Sequence, residues 1–265
     1  MTRQPSLFIS HGAPTILQDG SPAHHHLKTL GQNILRTQKP DAILIMSAHF
    51  EARRPTLTAH PNPSTIYDFR GFPKQLYTYT YPAPGAPQTA QRIFKALQNE
   101  GFEPILNQQR GFDHGTWIPL ALMFPDADIP VVQLSINPLQ TSEYHYLLGL
   151  TLSGLRGENI LIIGTGNLTH NLHEYFTGNY APDALPPLWV SDFTDWLAAK
   201  MRAGDTKAVL TAVTHAPHGQ HNHPTMDHIH PLFFAMGAGG ENMSANRLHH
   251  SYAHGVLAMD VYGFG

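Results

Sequence analysis

The sequence predicts an α/β fold: a single domain with a central mixed or largely parallel sheet flanked by helices on both faces. Two observations lead there first. Short apolar runs rich in Ile, Val and Leu recur along the 265 residues, as expected of strands buried on both faces. Helical patterns fall between these runs, and strands alternating with helices are the mark of a sheet wrapped on both sides. A third observation sets the domain count. No internal repeat and no linker-like shift in composition divides the chain, so one domain over residues 1–265 is expected.

The strands are expected at 6–10, 42–47, 131–136, 159–164 and, near the end, 255–261. Between them, residues 87–98 place Ala90, Ile93, Phe94 and Leu97 at helical spacing. Pro87 at the start and Gly101 just past the end suit a helix opening and closing. Residues 141–155, 187–202 and 206–214 also read as helices, as do the apolar runs 117–123 and 231–236. The stretch 51–87 differs, being rich in Pro, Tyr, Thr and Gly without clean periodicity. It holds six aromatics from Tyr67 to Tyr81, which argues for an ordered cover over a pocket. The triplet His24–His26 reads as a solvated loop or a helix start.

Composition narrows the chemistry. Charged residues make up 13%, against roughly 25% in ordinary soluble domains. The 19 histidines outnumber the 16 Lys plus Arg. Net charge is −3 and no Lys/Arg-rich run exists, so neither nucleic acid nor anionic lipid is an expected partner. Cysteine is absent, which excludes disulfides, thiolate nucleophiles, zinc fingers and iron–sulfur clusters. Any metal must be held by imidazole, carboxylate or water. The start of the chain lacks a signal-peptide core, and no apolar run nears the roughly 18 residues of a membrane span. A cytoplasmic protein is the expectation.

The histidines are not equivalent. His11 and His49 each follow an apolar strand that closes on Ser, and α/β sheets bind ligands beyond the carboxyl ends of their strands. His170 lies just past the strand near 160, through Gly166, Asn167, Leu168 and Thr169. An imidazole there suits acid–base work, because its free pKa lies near the working pH. His114 sits in Gly111–Trp117 ahead of a helix, where it projects into a cleft or merely accompanies a cap made by Asp113. His228 and His230 are two apart, so at most one reaches a shared metal. His24, His25, His26, His60, His249, His250 and His254 lie in polar or irregular surroundings and read as structural or surface. No His-Glu-x-x-His pattern is present, and a three-imidazole site is compatible with zinc or iron. Loop histidines with no shared role are the bland alternative.

Taken jointly, eight segments resemble the DOPA-dioxygenase type of class III extradiol ring-cleaving dioxygenases, in the protocatechuate 4,5-dioxygenase B-subunit superfamily. They are 10–14, 47–50, 66–73, 81–85, 111–117, 130–136, 166–172 and 224–228, spanning nearly the whole chain in order. The resemblance implies His11, His49 and His228 as metal ligands, His170 as the catalytic acid–base residue and His114 as a second catalytic histidine lining the substrate site. Two positions depart from the family pattern. Asp227 stands where Glu is more common, and His230 where Leu is usual, which makes both competitors of His228. The resemblance further implies a catechol and O2 as substrates, with a muconic semialdehyde as product. Fe(II) is the expected cofactor, with Zn(II) able to occupy the site on purification. Two other readings stand beside it: a zinc-dependent hydrolase on the same scaffold, and a non-catalytic, Memo-like peptide-binding protein.

Overall fold

The computed structural model describes residues 3–240 and 244–265. Residues 1 and 2, on which the signal-peptide expectation partly rests, lie outside them. An eight-stranded mixed sheet runs in the order β4-β3-β5-β2-β6-β1-β10-β7. Its interior strands are β1 (Ser6–Ser10), β2 (Ala42–Glu51), β5 (Val131–Ile136) and β6 (Ile160–Gly166). All four are parallel, and all but the tail of β2 are buried along their length. That explains why they read as continuous apolar runs rather than alternating ones. The short β3 (Thr56–Thr58) and β4 (Ile105–Asn107) extend one edge, and β7 (Ala245–His249) with β10 (Val261–Phe264) the other. A separate two-stranded ribbon joins β8 (Tyr252–Ala253) to β9 (Leu257–Ala258).

Helices cover both faces. They are α1 (Pro22–Thr37), α2 (Pro87–Asn99), α3 (His114–Met123), α4 (Ser142–Leu152), α5 (Leu172–Thr177), α6 (Leu188–Arg202), α7 (Thr206–Leu210), α8 (Ala212–His215), α9 (Gly219–Asn222) and α10 (His230–Gly239). Alternate strand residues serve opposite layers. Ile43 and Ile45 pack with α1 and α3, whereas Leu44 and Met46 pack with α2, α4 and α10. Both α3 and α10 are buried on every residue, so neither shows an amphipathic stripe. The guanidinium of buried Arg156 donates to the carbonyls of Ala238 and Gly239 at the end of α10 and to that of Gln4, tying the helix terminus to the start of β1.

Several expectations move. The terminal strand lies at 261–264 rather than 255–261, because Gly255 turns the chain with a φ of +65° and only Val261–Phe264 pairs with β1. The strand expected at 159–164 begins at Ile160 and reaches Gly166; Asn159 takes a left-handed φ of 60° ahead of it. The helix expected over 206–214 divides at Thr211 into α7 and α8. The His24–His26 triplet lies in the opening turns of α1, capped by Ser21, whose hydroxyl accepts from the His24 N–H. The 51–87 stretch is ordered, with Tyr67, Phe69, Phe72, Tyr77 and Tyr79 packed on the core.

Register places the chemistry. Ser10 pairs with Gly166 and Ser47 with Thr165, so β1, β2 and β6 end together at one sheet edge. Beyond Ser47 the register of β2 shifts before Glu51 meets Ile136, an irregularity that re-aims a side chain, here His49.

Candidate active site and metal centre

Each strand end delivers one histidine to the same pocket. His11 leaves β1 and is followed at once by Gly12, whose φ of +63° lets the chain turn. His49 sits in the irregular part of β2, where Arg110 holds its carbonyl at 3.1 Å. Arg110 is itself fixed at 3.0 Å by the fully buried Asp113. Asp113 also accepts from Ser47 Oγ at 2.7 Å and from the Thr116 N–H at 3.2 Å, so it caps α3 while bracing the end of β2. His114 is the first residue of α3, and His170 follows the loop beyond β6. The carbonyl of His228 receives the Asn167 N–H at 3.0 Å, in a space that any Cβ on Gly166 would fill. All five histidines line one cavity of about 190 Å³, with Phe69, Arg70, Phe72, Tyr175 and Phe176 around its upper walls.

Hydrogen bonding fixes how two of the rings face. Thr165 Oγ1 donates to the Gly115 carbonyl at 2.9 Å, so it must accept from His11 Nδ1–H, also at 2.9 Å. The lone pair of His11 then lies on Nε2, which is 3.1 Å from Nε2 of His49. Asp227 accepts from His228 Nδ1–H and leaves that ring's Nε2 as the free lone pair. Asp68 Oδ1 lies 3.0 Å from His114 Nδ1 and accepts the His114 backbone N–H at 2.9 Å. Its other oxygen is 3.7 Å from His49 Nδ1.

Burial keeps His11, His49, His170 and His228 uncharged. Desolvation, reinforced by His49 and the other rings, holds His11 well below the usual imidazole range. His49 falls to about 3 through burial and the neighbouring His114, although Asp68 opposes the shift. His170 falls to about 3 through burial and His228, and His228 to about 4 through burial despite its Asp227 partner. The carboxylates move the other way. Burial would raise Asp68, but the hydrogen bond and charge of His114 hold it at about 2. Asp227 likewise stays far below the carboxylate range, because its bond to His228 outweighs burial. The result is a set of neutral nitrogen donors lining one pocket, a donor chemistry that fits a divalent transition metal of the zinc or iron type.

Two donor groups are compact enough to hold an ion: His11, His49 and His114, and His170, Asp227 and His228. The ligand set expected from the sequence, His11, His49 and His228, draws on both. His11 and His228 have ring centroids 5.5 Å apart, and His49 and His228 4.9 Å. The His170 ring stacks on His228 at 3.4 Å. His230 faces elsewhere, stacked at 3.8 Å on His145 and outside the pocket lining. The residue that sequence reasoning missed is Asp68. A lone carboxylate in an aperiodic aromatic loop carries no pattern; its place between Tyr67 and Phe69 was the only signal.

Neutral histidines gathered at a parallel sheet edge under an aromatic cover define a metal-centred α/β enzyme pocket. Comparison with known proteins gives the family. The chain belongs to the family described as the catalytic LigB subunit of aromatic ring-opening dioxygenase, whose model matches residues 5–265. It is 40% identical to a Beta vulgaris protein named 4,5-DOPA dioxygenase extradiol, over 98% of this chain and 96% of that one. A protein of the same name from Portulaca grandiflora is 38% identical, over 98% of this chain and 95% of its own. One from Escherichia coli K12 is 37% identical, over 89% and 86%. The crystal structure of an uncharacterised Escherichia coli K12 protein superposes with a TM-score of 0.81 at 31% identity, covering 99% of this chain and 100% of that one. The protein is therefore an aromatic ring-opening dioxygenase, and the α/β expectation holds. Among the described residues, no helix is long and apolar enough to cross a membrane.

Proposed function

We propose that the protein opens the ring of L-DOPA-like catechols by extradiol cleavage, with His11, His49 and His228 holding Fe(II), His170 as acid–base residue and His114 lining the substrate site. The observation that carries this reading is the convergence of five buried or half-buried histidines, four of them held neutral by their surroundings, on one aromatic-walled pocket in a chain of this family. When bound, Fe(II) supplies Lewis acidity toward the catechol hydroxyls and an electronic route between catechol and O2.

The chain's own residues do the rest. Phe69 and Phe72 stand beside the histidines and confine a flat ring. His170 is a free base at neutral pH, so a ring nitrogen can accept a hydroxyl proton from the catechol. Negative charge arriving on the substrate oxygens raises the proton affinity of that imidazole and keeps the proton there until ring opening returns it. Asp68 beside Nδ1 of His114 favours the proton on that nitrogen and turns the other toward the pocket. Both O2 atoms enter the product and one ring C–C bond beside the hydroxyls breaks, which gives a muconic semialdehyde without an external reductant. Neither the hydrolase reading nor the peptide-binding scaffold has an observation in its favour.

The test is to load metal-free protein with Fe(II) anaerobically, add L-DOPA and admit oxygen. One O2 consumed per ring, with a yellow product that His170→Ala abolishes, is the expected outcome. Absence of uptake across a panel of catechols, with Fe(II) demonstrably bound, would overturn the reading.

A further inference from the structure

The upper part of the pocket carries a charge that the histidine floor does not explain. Among the described residues, Arg70 is the single Lys or Arg lining the cavity, and no Asp or Glu lines it. Arg70 is exposed, and among the described residues its guanidinium meets no hydrogen-bond, ion-pair or ring partner. The other well-placed arginines differ. Arg110 is held by Asp113 and lies over Phe50, Arg156 is spent on carbonyls, and Arg247 pairs with Asp260 at 2.5 Å.

The two carboxylates closest to the site face its histidines: Asp68 lies beside His49 and His114, and Asp227 bonds His228. Neither lines the cavity, so the fixed charge facing a ligand there is positive. Local chain geometry puts it at the rim. Phe69, one residue earlier, is buried with its ring 5.5 Å from that of His114. Gly71, one residue later, turns the chain with a φ of +80°, and Phe72 re-enters the pocket lining. Arg70 thus stands between two aromatic walls, above the histidines.

We infer that Arg70 recognises a carboxylate at the end of the catechol's side chain, so that the pocket selects anionic catechols over neutral or cationic ones. This rests on the catechol reading of the same site. With the two hydroxyls at the histidine floor, a substituent across the ring points toward the mouth, where the guanidinium fork matches a carboxylate in two parallel hydrogen bonds. An ammonium has no counterpart in the lining, so dopamine is the worst of the simple catechols. L-DOPA, which carries both charges, falls below 3-(3,4-dihydroxyphenyl)propanoate.

The experiment is an anaerobic calorimetric titration of Fe(II)-loaded protein with 3-(3,4-dihydroxyphenyl)propanoate and with 4-propylcatechol, its neutral analogue. The wild type is expected to prefer the carboxylate by about tenfold or more, the effect of a charged hydrogen-bonded pair. That preference should shrink as salt rises. Arg70→Gln should abolish the preference and leave 4-propylcatechol within about twofold, since the substituted side chain is exposed. Equal affinities in the wild type, a preference that survives R70Q, or failure of both ligands to bind each overturns the inference. Oxygen uptake on the same samples separates the two readings. Turnover without carboxylate preference sinks Arg70's role alone, whereas preference without turnover sinks ring cleavage and leaves carboxylate recognition standing.

Discussion

Acid should unfold this protein through histidines that take no part in the site. His145 and His223 are 0% and 2% exposed, and burial lowers each to about 4. For His145 the cause is visible: Nδ1 donates to the Thr141 carbonyl at 2.8 Å and Nε2 accepts the Asn137 N–H at 3.2 Å, so a second ring proton would point at another donor. In the unfolded chain both rings titrate near their ordinary 6.5. Below that value the unfolded state binds protons that the native state refuses, so stability is complete above it and lost as pH falls toward the native values. At about pH 5 each ring has lost about 2 kcal/mol, and the two together about 4 kcal/mol, a large share of a typical 5–15 kcal/mol. The depressed site histidines act with the same sign, which makes this a floor for metal-free protein. Urea unfolding after EDTA treatment, followed by the fluorescence of Trp117, Trp189 and Trp196, measures it. His145→Phe should lower stability at every pH yet roughly halve the part of the floor that depends on pH. A stability at about pH 5 within about 1 kcal/mol of that at neutral pH, or an unchanged pH dependence in the variant, would refute the reasoning.

Asp68→Asn removes the carboxylate between His114 and His49, and should lower kcat about 10- to 100-fold with little change in Tm; an unaltered pH–rate profile would count against it. Asp227→Asn should weaken metal affinity by a similar factor, read by competition with a chelator, because His228 loses the partner that fixes its tautomer. In Gly115→Ala the added Cβ would come 2.6 Å from Ser47 Oγ and 2.9 Å from His49 Cδ2. A cost of about 1–3 kcal/mol and impaired metal binding are expected, and a variant of wild-type stability and affinity would show that the strand ends yield.

The legible parts of the chain were those where one physical rule dominates. Strands buried on both faces, such as 42–47 and 131–136, announce themselves by apolar continuity, and the histidines beyond them by position. The three-residue β3 and β4 hold too little pattern to be seen. In α1 the buried stripe includes Ala23 and Gly31, too weak a signal beside a histidine triplet. The second layer of the site was least visible. Thr165, Asp68 and Asp113 each act through contacts made across many residues, which no local window contains.

His11 and His49 are 38 residues apart, and the threonine that orients His11 is 154 residues further along. No short fragment of the chain therefore carries both His11 and His49. The strand ends must align before an ion in this pocket can meet both His11 and His49, so the long loops between them close without its help. Metal cannot nucleate this fold as it does in a small zinc module. It acts last and on the whole molecule: an ion bound to the native state alone raises the cost of opening every element at once. A lesion far from the pocket, on the outer edge strand for example, should accordingly appear as a drop in apparent metal affinity wherever it raises the unfolded fraction.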